Sequence, residues 1–215
     1  MPMGCNMGPM QERTGRQVTG FVLMGGKSLR MGCDKALLRL ATGETLLDRA
    51  VGTLRSVADS VLLVGPAKEY SGLWRGEIVE DIYAERGPLG GIHAALRHST
   101  TELNFVLAVD SPYVTRALIE YLVDQARASD ALVTVARIDG KLQPLCAVYR
   151  RAFAAVAEEV LASGENTAHR AIERTSVRML TEEELRAAGF GASLFANVNT
   201  PEEFEKLRPW QTTAR

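Results

Sequence analysis

The sequence predicts an α/β fold: a doubly wound, mostly parallel sheet with helices on both faces, Rossmann-like in plan. Three observations predict it. The apolar runs Val18 to Met24, Ser60 to Val64 and Asn104 to Val109 are β-rich and short, the lengths of buried strands rather than core helices. Amphipathic helical patterns separate them, and strand, helix, strand in that order implies parallel pairing. No repeat and no linker interrupts the 215 residues, so residues 18–215 read as a single domain.

The elements follow in order. Residues 1–17 hold three glycines, two prolines and four methionines without periodicity and read as a disordered leader. After the first strand and its loop, Ala36 to Leu40 reads as extended, and Thr42-Gly43 as a turn. Leu46, Leu47, Ala50, Val51 and Leu54 then recur at helical spacing behind Thr45. Gly65-Pro66 closes the second strand, and Glu77 to Asp81 makes a short third one. Arg86 to Ile92 leads into a helix with Leu89, Ile92 and Leu96 on one face. Its glycines allow close backbone approach at a helix N-terminus, a place that favours anions. Another helix starts near Thr115 and buries Leu118, Ile119, Leu122, Val123 and Ala126. Ala131 to Ala136 and Leu145 to Tyr149 flank a turn at Asp139-Gly140 and pair as a hairpin. Helices over Arg151 to Leu161 and near Asn166 to Arg174, a strand near Leu194 to Val198, and a helix from Thr200 complete the chain. Thr200-Pro201-Glu202-Glu203 supplies the last helix with a cap, a first-turn proline and two acids.

Composition narrows the function. An apolar fraction of 46% and a charged fraction of 24% are those of an ordinary globular protein. A net charge of −1 argues against nucleic acid and membrane surfaces as partners. Cys5, Cys33 and Cys146 lack the paired spacing of a disulfide framework or a zinc site. No apolar run spans a bilayer and no signal core opens the chain, so the cytoplasm is the expected compartment.

The loop after the first strand carries the chemistry. Gly25, Gly26 and Gly32 let backbone N–H groups approach a ligand, while Lys27, Arg30 and Lys35 offset phosphate charge. Such a loop suits a polyphosphate. It is not a P-loop: G-x-x-x-x-G-K-[ST] requires glycine where Phe21 stands. It also lacks the glycine spacing of the dinucleotide fingerprint.

Leu23, Gly25, Gly26, Ser28, Arg30, Met31, Gly32, Asp34 and Lys35 match the pattern L-x-G-G-x-S-x-R-M-G-x-D-K. On these residues the chain resembles the molybdenum cofactor guanylyltransferases of the nucleotidyltransferase superfamily. Two later segments, Gln143 to Tyr149 and Asn197 to Glu202, resemble the same family, so the likeness runs from about Val18 to Leu207. Two departures stand out. Met24 takes the place of the family's usual alanine, and Val64-Gly65-Pro66 lacks the asparagine often found after the second strand.

Asp110 is the foremost candidate. It ends the most hydrophobic strand, where open α/β sheets place their ligands, and reads either as a Mg2+ anchor or as a turn cap. The resemblance favours the metal. Asp81 reads by itself as a solvated strand-end acid, and by resemblance as a nucleotide contact. Lys35 and Arg30 read as phosphate ligands or surface cations, and Asp34 as a cap. The resemblance implies GTP contacts at Leu23, Met24, Gly25, Gly26, Arg30, Lys35, Asp81 and Asp110. It implies catalytic roles for Asp110, Lys35 and Arg30, and acceptor or metal support from Gln143, Asn197 and Asn199. His93, His98 and His169 read as ordinary surface or helix-face residues, and Cys33 as a small filler.

The expected reaction is transfer of GMP from GTP to a molybdopterin-type cofactor, with Mg2+ as cofactor and pyrophosphate released. Cofactor-accepting enzymes or chaperones are further expected partners. The alternatives are a cytidylyltransferase, a nucleotidyltransferase with another phosphorylated acceptor, and a non-catalytic nucleotide-binding regulator. A GTPase switch would need the missing P-loop.

Overall fold

In a computed structural model the described residues are 17–24, 34–83 and 86–205. Among the described residues seven strands form one sheet: β1 (Val18–Leu23), β2 (Ser60–Val64), β3 (Ile78–Val79), β4 (Leu103–Ala108), β5 (Val133–Ile138), β6 (Lys141–Arg150) and β7 (Val177–Leu180). Their order is β3-β2-β1-β4-β6-β5-β7. Only β6 runs against its neighbours, β4 and β5; every other pair is parallel. The helices are α1 (Leu46–Arg55), α2 (Ala67–Tyr70), α3 (Gly87–His98), α4 (Arg116–Arg127), α5 (Phe153–Ala162), α6 (Ala168–Glu173), α7 (Glu182–Ala187) and α8 (Pro201–Glu205).

The period-two alternation of a strand sends its side chains into two separate cores. Val18 and Val22 of β1 join Leu63, Phe105 and Leu107 beneath Leu47 and Leu54 of α1 and Leu118 and Leu122 of α4. Phe21 and Leu23 join Leu62, Val64 and Val106 beneath Leu89, Ile92 and Leu96 of α3 and Phe153 and Val160 of α5. Both faces of the central strands are therefore covered, which is why those strands read as unbroken apolar runs. Gly20 interrupts β1 for a packing reason. A Cβ there would lie 3.2 Å from the Leu54 Cβ, so glycine lets α1 seat closely on the sheet.

The amino edge of the sheet is held by polar side chains. Asn104 is fully buried. Its amide donates to the Thr101, Glu102 and Tyr149 carbonyls, each at 3.3 Å. Its Oδ1 accepts from Ser99, and the Thr101 hydroxyl, which lies 3.2 Å from the same oxygen, donates its one proton to Thr19 at 2.8 Å. This network joins β1, β4 and β6 at the end remote from Asp110.

Several elements differ from expectation. The stretch Ala36 to Leu40 begins as a 3-10 turn, Lys35–Leu37, because the Asp34 carboxylate accepts from the Ala36 N–H at 3.0 Å and closes the turn. Only after it does the chain extend, with Arg39 bridged to Thr45. The strand expected near Leu194 to Val198 is a 3-10 helix, Ala192–Phe195, followed by an extended strap. The Val198 N–H goes to the Asp110 carbonyl at 2.9 Å instead of to a strand. The third strand is only Ile78–Val79. α2, α7 and β7 were not anticipated; β7 (Val-Arg-Met-Leu) has three half-buried residues and too little alternation to stand out. The hairpin is present and longer than expected. Asp139 and Gly140, with φ of 47° and 72°, form the left-handed two-residue turn that suits strand twist. The expected leader, residues 1–16 in particular, lies outside the described residues.

Candidate active site

Register brings the strand ends together. Leu23 of β1 stands opposite Val64 of β2 and Ala108 of β4. Val79 of β3 stands opposite Val64. Asp110 and Asp81 each follow two residues after these level positions, at the carboxyl edge where parallel sheets expose their loops. Because β6 is antiparallel, with Cys146 opposite Leu107, its N-terminal half and Gln143 reach the same edge. The Gln143 amide donates to the Lys141 carbonyl at 3.3 Å.

At this edge Lys35 and Asp110, 75 positions apart in sequence, form a direct ion pair. The Lys35 Nζ donates to Asp110 Oδ2 at 3.2 Å and to Asn199 Oδ1 at 3.0 Å. Their side chains are only 15% and 17% exposed, so neither charge is fully solvated. Each member is placed by local structure. Lys35 sits on the turn capped by Asp34, while Ala36 beside it is buried in the core. Asp110 lies two residues beyond β4, in a turn that closes through Ser111 N–H to the Ala108 carbonyl at 3.3 Å. Asn199 is held by a capping box on α8: Glu203 accepts from the Asn199 and Thr200 N–H groups at 2.6 and 3.2 Å, and Thr200 accepts from the Glu203 N–H. Asn197 Oδ1 accepts from the Ser111 hydroxyl at 2.9 Å. The C-terminal strap is thus laced to the Asp110 turn by backbone and side chain.

Asp81 lies apart from this trio, against α3. A Cβ on Gly91 would come within 3.5 Å of Asp81 Oδ1 and 3.2 Å of Leu23 Cδ2, so the glycine gives the acid and the β1 end room. Solvent reaches Asp81, yet the protein crowding it raises its carboxyl above the ordinary range.

The two departures from the family pattern meet. Met24 is buried, and its N–H donates to the Val64 carbonyl at 2.9 Å. A Cβ on Gly65 would fall 2.9 Å from the Met24 Cβ, too near for any larger residue. Alanine at 24 would carry the same Cβ, so glycine at 65 makes room for any side chain at 24 and not for methionine alone.

Gly25, Gly26 and Arg30 lie outside the described residues, as do Lys27, Ser28 and Cys33. Cys146 is buried in the core, which pushes its thiol up to about 12. His93, expected on a surface or helix face, is instead buried on α3. Among the described residues no three His, Cys, Asp or Glu side chains gather as a metal cage. The donors at hand are the Asp110 carboxylate and the Asn197 and Asn199 amide oxygens. These hard ligands fit Mg2+ when substrate phosphates complete its shell. Sequence reasoning missed what Ser111 and Glu203 do here; the Thr-x-x-Glu spacing at Thr200 was the available signal for the second.

Comparisons with known proteins agree on one relationship. The model of the MobA-like NTP transferase domain matches residues 20–179. A probable molybdenum cofactor guanylyltransferase of Pelotomaculum thermopropionicum is 36% identical over 93% of this chain and 96% of its own length. A molybdenum cofactor guanylyltransferase of Desulfosudis oleivorans is 34% identical over 88% of this chain and 93% of its own. Molybdopterin-guanine dinucleotide biosynthesis protein A of Archaeoglobus fulgidus has a crystal structure that superposes with a TM-score of 0.79. It is 25% identical and covers 90% of this chain and 98% of its own.

Proposed function

This chain belongs to the MobA-like NTP transferase family, and from that premise we propose that it transfers GMP from GTP to a molybdopterin-type cofactor. Pyrophosphate leaves, and the guanine dinucleotide form of the cofactor is the product. The observation that carries this reading is the meeting of Lys35, Asp110 and Asn199 at the carboxyl edge of the sheet. It supports the reading because an ammonium able to bind phosphate oxygens lies beside a carboxylate and an amide oxygen that suit a metal.

The acceptor's phosphate is itself the nucleophile. One of its oxygens bonds to the α-phosphorus of GTP as the bond to the β-phosphate bridging oxygen breaks. A phosphate monoester is already anionic at neutral pH, so the protein needs neither a nucleophile nor a strong base. Its work is positioning and charge neutralisation. Lys35 holds phosphate oxygens, Arg30 joins it from the glycine loop, and Leu23, Met24, Gly25 and Gly26 border the nucleotide. Asp81 contacts the nucleoside from the α3 side. Asp110 would hold Mg2+, with Asn197 and Asn199 in support, and Gln143 faces the acceptor. When bound, Mg2+ supplies Lewis-acid neutralisation of the phosphates.

The test is nucleotide preference. Supplied with molybdopterin-bound molybdenum cofactor, the protein is expected to consume GTP and release pyrophosphate, with CTP and ATP left largely untouched. Preferential use of CTP would move it to the cytidylyl alternative, and no turnover of any nucleotide would favour the regulator.

A further inference from the structure

Lys35 stands where Asp110 and Asn199 would share a metal. Its ammonium lies 3.2 Å from Asp110 Oδ2 and 3.0 Å from Asn199 Oδ1, and so occupies the oxygens that a divalent cation would use. We propose that Lys35 is a built-in counter-ion that keeps the Asp110 site closed to free metal until a nucleoside triphosphate draws it away. This inference rests on the reading of Asp110 as the metal anchor.

Three observations support it. First, a carboxylate that is only 17% exposed needs a partner, and Lys35 is the partner it has. An ammonium and a dication a few ångströms apart repel one another, so both cannot hold the same oxygens. Second, the remaining donors are too few to outcompete the lysine. One carboxylate and neutral amides make a weak Mg2+ site without phosphates, and no cage of three His, Cys, Asp or Glu is found among the described residues. Third, the exchange needs only a side-chain movement. The Lys35 backbone is fixed by the Asp34 cap, whereas its four-carbon stem is flexible.

A triphosphate offers the ammonium several anionic oxygens at once. As Lys35 turns to them, Asp110 and Asn199 become free for the metal that the same phosphates carry. Nucleotide and metal then bind cooperatively, and the coupling is reciprocal. The closed pair also disfavours capture of a stray divalent ion by the empty enzyme.

The experiment measures Mn2+ binding to the full chain without nucleotide, from the electron paramagnetic resonance signal of the free ion. Lys35→Met is expected to bind Mn2+ about tenfold tighter or more than the natural protein. Lys35→Arg, which keeps the charge, should bind as weakly as the natural protein. Adding Asp110→Asn to Lys35→Met should remove the gain, and thermal melts establish that each variant is folded. If Lys35→Met binds no tighter, the counter-ion role is wrong, although Asp110 can still anchor metal with nucleotide present. If Lys35→Met gains affinity and Asp110→Asn leaves that gain intact, Asp110 is not the anchor and the functional reading itself fails at that residue.

Discussion

His93 is a buried imidazole with little to bond to. It is 2% exposed on α3, and neither ring nitrogen has a hydrogen-bond partner among the described residues. Glu158 of α5 places its Oε2 3.8 Å from Nε2, beyond hydrogen-bond reach, and Tyr83 packs edge-on with ring centroids 5.3 Å apart. Burial lowers the imidazole pKa; Glu158 partly offsets this, and Arg97 on the same helix adds to it. The sign follows from linkage. The unfolded chain takes up a proton near 6.5 and the folded one only at lower pH, so stability falls as pH drops below that value. His93→Phe should flatten the decline in melting temperature between neutral and mildly acidic pH. Parallel curves for the variant and the natural protein would remove His93 as the cause. The neighbouring residues explain why sequence alone misplaced it: Gly-Gly-Ile-His-Ala-Ala-Leu is buried all round, so no polar face marks where the histidine points.

Among the elements, α1 shows how a local rule carries over into the fold. Its five buried residues, Leu46, Leu47, Ala50, Val51 and Leu54, are the apolar positions read from spacing. Thr45 does more than start it. Its hydroxyl accepts from the Asp48 N–H at 3.0 Å while Asp48 accepts from the Thr45 N–H at 2.9 Å. The Thr45 N–H, and then the Thr45 hydroxyl at 2.7 Å, hold the Asp48 carboxyl below its usual pKa, so their contribution is present at neutral pH and is lost on acidification. Thr45→Ala should destabilise the protein by about 1 kcal/mol in chemical denaturation. An unchanged midpoint would mean that the bridge from Arg39 to Thr45 already holds this end. The strap after the 3-10 helix behaves differently. Asn197 to Asn199 carries little apolar periodicity, and its conformation comes from Asp110, Ser111 and Glu203, none of them adjacent in sequence.

Across the described residues, the buried polar network around Asn104 and the candidate site occupy opposite edges of one sheet. Asn104 ties three strands at the amino edge, whereas Lys35, Asp110 and Asn199 converge at the carboxyl edge. Replacing Asn104 with leucine leaves buried carbonyls and a hydroxyl without their partner, at a cost of about 2–3 kcal/mol. The melting temperature of Asn104→Leu should drop while the KM for GTP, measured where the variant is folded, stays the same. A raised KM with unchanged stability would contradict this separation of edges.

The sequence by itself determined the α/β class, the three central strands, the two-sided burial and the identity of Asp110 and Lys35 as candidates. Strand length, helical spacing and caps are local properties, and β4 and α1 announce themselves through neighbours a few positions away. Tertiary structure decided that Lys35, Asp110 and Asn199 share one point, that a side chain at 24 requires Gly65, and that the Asn197 segment is a strap and not a strand. Those outcomes depend on the parallel register of β1 and β4 and on hydrogen bonds between residues up to 164 positions apart. Local pattern contains no record of such distances, because they are set by which strand the chain returns to.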